Sequence, residues 1–155
     1  VKLVVDSSIV FSAILSTQGR FGQLLINGTR HFEFYTIALL AEEIDRHKQK
    51  IMRIAALDEA TYQQTVRSIL SRLTFVDDIA LSDQELRTAM ELTADIDADD
   101  TMYVALNDHL RAHLWTGDKK LTNGLRDKGY DRIISTDEVY SIFLKKELQR
   151  SRKKR

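Results

Sequence analysis

Residues 1–15, VKLVVDSSIVFSAIL, decide the fold: a β-rich apolar run, LVV at 3–5, ends on Asp6 and breaks at once into a helix-like run. The same event recurs twice. Asp100 precedes a helix-like run in DIDADDTMYVAL (95–106), and Asp118 follows a strand-like run in HLWTGDKKL (113–121). Working outward, FEFY (32–35), LTFV (73–76), HLWT (113–116) and RII (132–134) read as further strands. Between them, Ile9–Leu15, Phe21–Ile26, Ile37–Ile54, Glu59–Leu70, Asp83–Leu92, Thr101–Leu110, Lys120–Arg126 and Asp137–Leu148 carry apolar residues at three- or four-residue spacing. Such alternation predicts an α/β domain, a mainly parallel sheet with helices on both faces. The consecutive helices between about 37 and 72 suggest a projecting helical pair. The chain has no proline, so its turns rest on Gly, Asn, Asp and Ser, as in TQG, NGT and TGD.

At 155 residues, 43% of them hydrophobic, the chain fits one domain able to bury roughly 70% of its unfolded surface. With no cysteine, disulfides and thiolate metal sites are excluded, and a cytoplasmic setting is favoured. Only four histidines occur, without the close pairing zinc enzymes use, so any metal would be held by oxygen. That leaves Mg2+ or Mn2+. No run approaches about 18 uninterrupted apolar residues, and Asp6 interrupts any signal-like N-terminus, so a soluble protein with no membrane contact is expected. A net charge of zero conceals a polarity. Residues 145–155 hold seven of the 23 Lys and Arg and one of the 23 Asp and Glu, net +6, which leaves 16 against 22, net −6, in residues 1–144. We therefore read 1–148 as the domain and 149–155 as a basic tail, either a solvated helix end or an arm that seeks phosphate.

Each aspartate has a bland explanation, because Asp at a helix N-cap contributes about 1 kcal/mol by accepting orphan backbone N–H bonds. Together they mean more. A parallel sheet carries the ends of its strands to one rim, where like charges raise one another's pKa or demand a cation. Glu43 lies at the margin of an apolar stripe formed by Leu40, Ile44, His47, Ile51 and Ile54, which makes it a candidate fourth carboxylate. Asp97 and Asp100 share a face if the helix has begun, whereas Asp99, turned away by roughly 100°, reads as the simple cap. Trp115 and Tyr103 are aromatics able to stack on a base, Trp115 reading more readily as core. Lys119, Lys120, Arg46, Lys48 and Lys50 are the basic residues near the motifs.

The segments KLVVDSSIVFSAIL, FEFYTIALLAEEIDRHKQKI, DIDADDTMYVAL and LWTGDKKL, in this order and spacing, resemble the PIN-domain nucleases, particularly the branch related to VapC-type toxins. The resemblance runs from Val1 to about Leu144. It implies a three-layer α/β/α sandwich whose carboxylates hold a divalent metal and cleave RNA. Carried over by position, the family's acidic residues fall on Asp6, Glu43, Asp100 and Asp118, with Asp97 matching a further acidic position. Departures are Ser8 where the family often has Asn, Ala98 where proline is common, and Asn107 where alanine is common. Ser8 keeps a hydroxyl for a metal-bound water or for Asp6, and Thr116 is placed to hydrogen-bond the site. The resemblance also implies an antitoxin partner and a homodimer. The alternatives are a noncatalytic PIN-fold RNA-binding or regulatory module, expected where a carboxylate is missing, and a phosphotransfer domain, whose usual second aspartate two residues after the first is here Ser8.

Overall fold

Five short strands, β1 (Lys2–Val5), β2 (Glu33–Ile37), β3 (Thr74–Val76), β4 (His113–Trp115) and β5 (Ile133–Ile134), form one parallel sheet in the order β3-β2-β1-β4-β5. The structure, a computed structural model, describes residues 1–154. β1 lies at the centre, with Val4 paired to Tyr35 on one side and Leu114 on the other. Side chains alternate across a strand, so Leu3 and Val5 enter one core and Val4 the other. Helices α1 (Ser7–Leu15), α2 (Arg20–Asn27), α5 (Glu59–Leu70) and α9 (Thr136–Lys153) cover the first face, with Ile9, Leu24, Ile69 and Val139 packed against Phe34, Trp115 and Ile134. On the second face α6 (Asp83–Thr93), α7 (Thr101–Leu110) and α8 (Lys119–Asp127) bring Ala89, Val104 and Leu121 onto Leu114 and Ile133. The result is the three-layer α/β/α sandwich. Burial on both faces explains why the strands read as apolar runs rather than alternating ones.

The order of strands places the site. β1 feeds α1 on one face, its neighbour β4 feeds α8 on the other, and the two connections part to leave a crevice at the carboxyl ends of the strands. Asp6 N–H donates to the Trp115 carbonyl at 3.3 Å, so the first and last aspartate motifs are stitched side by side.

Four expectations from the sequence are corrected. The span Ile37–Ile54 is not one helix: β2 continues to Ile37, which pairs with Val76, and α3 (Leu39–Arg46) and α4 (Lys48–Ala55) follow with a break at His47. The His47 backbone leaves the helical region at φ −99°, ψ 9°. The stripe breaks with it, leaving His47 exposed and Ile54 59% exposed, while Leu40, Ile44 and Ile51 remain buried. Nor does a helical pair project. α4 and α5 pack on α1, and α5 lays Tyr62 and Ile69 into the first core. α9 does not stop at Leu148 but runs to Lys153, capped at its start by Ser135 and Glu138 in a reciprocal capping box. The fourth correction, the identity of the cap before α7, belongs with the site.

Candidate functional site

At the crevice a cleft of about 460 Å³ is lined by Asp6, Glu43, Asp97, Asp99, Asp100 and Asp118, with Arg46 and His47 on its lip. The structure thus brings together every carboxylate singled out from the sequence. They arrive from four segments: Asp6 after β1, Glu43 on α3, Asp97 and Asp100 ahead of α7, and Asp118 at the start of α8.

Capping and cleft lining are not alternatives here. Asp6 caps α1 by accepting from Ile9 N–H at 3.3 Å, and Asp118 caps α8 by accepting from Leu121 N–H at 3.1 Å. Asp97, not Asp99, caps the 3-10 turn Ala98–Asp100, accepting from Asp99 N–H at 2.9 Å. Asp99 is left exposed without that duty, because the turn begins three residues before α7 and shifts the capping position back. Asp100 caps nothing. Its Oδ2 is buried without a hydrogen-bond partner.

Asp97, Asp100 and Asp118 each present an oxygen within 4.8 Å of the others. Burial raises the Asp100 carboxyl to about 7, and the neighbouring Asp6, Asp97, Asp118 and Asp99 charges add to the rise. Asp6 sits behind this trio, 2% exposed, where burial pushes its carboxyl up while hydrogen bonds from Ser8, Thr116 and Ile9 pull it down. The Ser8 hydroxyl donates to Asp6 Oδ1 at 2.6 Å and accepts from Gly117 N–H at 3.1 Å, while Thr116 Oγ1 accepts from Asp118 N–H at 3.1 Å. Both hydroxyls therefore hold the two aspartate turns against each other. Ser8→Ala removes the shorter of the two hydrogen bonds to the buried Asp6 Oδ1 and the link to Gly117, a cost of about 1–3 kcal/mol. We expect a lower denaturation midpoint at unchanged m-value; a wild-type midpoint would remove Ser8 from this network.

Glu43 is half-buried. Burial pushes its carboxyl up, and the Ser7 hydroxyl and Tyr103 phenol pull it down, Tyr103 donating to Oε1 at 3.5 Å. Ser7 was not anticipated, and Tyr103 was read as a surface for a base; it is 1% exposed in the second core and buttresses Glu43 instead. No sequence signal marks a contact spanning 60 residues. His47 on the lip was also unforeseen in that place, since a continuous helix would turn it inward. Trp115 is core, its Nε1 donating to Thr136 at 3.0 Å. Lys48 pairs with Glu59 at 2.6 Å rather than reaching the cleft.

Two further residues set the positions of the motifs. A Cβ on Gly124 would meet Ile96 Cδ1 at 2.5 Å, so glycine at that point of α8 lets Ile96 pack down and draws the Asp97–Asp100 turn toward Asp118 on the same helix. Asn107, where alanine was the expected residue, is fully buried and donates to Tyr130 Oη at 2.8 Å and to the Arg132 carbonyl at 3.0 Å, tying α7 to the segment entering β5.

The fold agrees with the comparisons. The sequence profile of the PIN domain matches residues 4–138, and the chain belongs to the PIN domain family. A comparison with curated proteins found no match. Among solved structures, that of VapBC2 from Rickettsia felis bound to a DNA fragment from their promoter is similar with a TM-score of 0.61 at 15% identity, covering 87% of this chain and 97% of that one. PAE2754 from Pyrobaculum aerophilum is similar with a TM-score of 0.62 at 19% identity, covering 88% and 85% respectively. At these identities the likeness is one of fold. Among the described residues no single helix is long and apolar enough to cross a membrane.

Proposed function

We propose that this PIN-domain protein is a ribonuclease that hydrolyses phosphodiester bonds with a divalent cation, Mg2+ or Mn2+, acting as the toxin of a toxin–antitoxin pair in the cytoplasm. The observation that carries this reading is the buried, unpartnered Oδ2 of Asp100 within the Asp97, Asp100 and Asp118 trio. A donor set made only of carboxylate oxygens suits a hard cation, and a buried anionic oxygen without a donor calls for one. Asp97, Asp100 and Asp118 would hold it, with Asp6 supporting from behind. When bound, such an ion neutralises a phosphate and lowers the pKa of a water.

The chain's own groups do the rest. Glu43, set apart from the trio and held by Ser7 and Tyr103, keeps a carboxylate oxygen ready to take a proton from an attacking water. Arg46 and His47 on the lip offset the acidity of the cleft toward an anionic substrate. Ser8 and Thr116 fix the Asp6 and Asp118 turns so that little reorganisation accompanies the reaction.

The antitoxin reading is supported by the fold likeness to VapBC2 and by an apolar groove of about 310 Å³ beside the cleft, formed by Phe11, Leu15, Ile51 and Ile54. Leu15 is 38% and Ile54 59% exposed there, a seat for an apolar partner helix. Pairing of two copies through helices belongs to the same reading. Incubation of the purified chain with RNA in EDTA, Mg2+ or Mn2+ tests it: cleavage is expected only with an ion. Cleavage persisting in EDTA refutes the metal role, and RNA bound but uncut with either ion identifies a noncatalytic module instead.

A further inference from the structure

We propose that a basic groove at the pole opposite the acidic cleft docks the phosphate backbone of RNA. The groove, of about 640 Å³, lies between the 3-10 turn Gly28–Arg30 and the C-terminal turns of α9, and is lined by Arg30, His31, Lys146, Arg150, Lys153 and Lys154. The turn precedes β2 and so lies at the amino end of the sheet. α9 leaves the carboxyl end of β5 and returns along the first face, and its Glu147 accepts from Arg30 at 2.9 Å. Eighteen residues at 1.5 Å each make α9 about 27 Å long, which separates the two poles by roughly 25 Å.

Favourable interaction of cations with the end of a helix explains part of this charge, since Arg150, Arg152 and Lys153 stand in the last turn of α9. It does not explain why another element delivers Arg30 and His31 to the same groove. Nor do internal pairs consume the charge. Glu147 is shared by Arg30, His31 and Arg150, while among the described residues no carboxylate lies within 4 Å of Lys146, Lys153 or Lys154. His31 Nε2 is buried without a hydrogen-bond partner, 3.7 Å from Glu147, its ring set edge-on to Phe143. The groove thus offers the unpaired cations of Lys146, Lys153 and Lys154 to an anion.

Regular spacing favours a nucleic acid backbone over an acidic peptide. Lys146, Arg150 and Lys153 or Lys154 recur about once per 5.4 Å turn along one face of α9, a ladder of cations suited to a chain with one charge per repeat. The body, net −6 over residues 1–144, repels polyanions, so attraction must come from this pole. A consequence for the substrate rests on the nuclease reading above: an RNA engaging both poles must cover about 25 Å, about seven nucleotides when stacked at 3.4 Å each.

The test replaces Lys146, Lys153 and Lys154 together by Ala, which breaks no ion pair, and checks the fold by thermal melting. Fluorescence anisotropy in EDTA then measures binding of labelled RNAs of about 30 and about four nucleotides as KCl is varied. Loss of three phosphate contacts is expected to flatten the slope of log K against log[KCl] for the longer RNA by about 2, to weaken it about tenfold or more, and to weaken the short one in the same direction. An unchanged slope and affinity for the longer RNA would overturn the proposal, as would displacement of RNA by polyglutamate charge for charge. Because binding is read without metal, a groove that binds RNA in a chain that never cleaves it sinks the nuclease reading and leaves this one standing.

Discussion

Asp100→Asn is expected to lower metal-dependent RNA cleavage by at least about 10³-fold, some 4 kcal/mol of activation free energy, while making the metal-free protein more stable at pH 8. The two effects share one cause. Asp100 is buried among Asp6, Asp97, Asp118 and Asp99, and its Oδ2 has no donor. Two carboxylates with oxygens about 4.8 Å apart repel by about 3 kcal/mol at protein-like screening, and Asp100 faces several. A neutral amide of the same shape removes that repulsion and with it the attraction for a cation. A structural aspartate would behave in the opposite way: Asn in place of an ion-pair partner lowers stability. Cleavage measured with Mn2+ and melting measured in EDTA therefore read one substitution with opposite signs. Cleavage at the wild-type rate would remove Asp100 from the reaction, and a lowered melting temperature would mean that its carboxylate holds the fold.

How far the site was legible follows from where its signals lie along the chain. Asp6 and Asp118 stand out because buried parallel strands read as apolar runs, and a carboxylate closing such a run is conspicuous. The sheet itself was readable for the same reason, even to the two-residue β5. The break at His47 was not, because Leu40, Ile44 and Ile51 keep helical spacing straight through it. What breaks the helix there is tertiary: α4 must turn to lay Ile51 on α1, where Phe11 meets His47 edge-on at 5.5 Å. Exchange of the capping role between Asp97 and Asp99 depends on the phase of one 3-10 turn, which four consecutive residues with three acids among them cannot reveal. Tyr103 reaching Glu43 depends on α7 and α3 meeting across the rim of the sheet, a contact visible only once the chain is folded.

The metal-free protein is expected to lose stability as pH rises from about 4 to 8, and a divalent cation to restore more of it at the upper end. Asp100 titrates near 7 in the fold against 3.8 for the ordinary group, so the folded state holds the proton more tightly than the unfolded chain. The resulting stabilisation is complete below pH 3.8 and is lost as pH climbs through about 7. At 1.36 kcal/mol per unit this is at most about 4 kcal/mol, and with the open side of the cleft screening part of it about 2 kcal/mol remains, a fall of about 5 °C in melting temperature. Asp6 and Glu43, whose carboxyls burial also raises, act in the same direction. Asp58, Glu59, Glu85 and Asp95 act oppositely, since hydrogen bonds and ion pairs lower their carboxyls; their stabilisation is present above the ordinary carboxylate range and disappears in acid. The two windows do not coincide, so melting between pH 5 and 8 isolates the cleft. Mn2+ competes with protons for the same oxygens and is expected to raise the melting temperature more at pH 8 than at pH 5. Asp100→Asn flattens the pH profile and removes most of the response to Mn2+. A wild-type melting temperature that neither falls between pH 5 and 8 nor responds to Mn2+ would mean that the carboxylates do not share one electrostatic site.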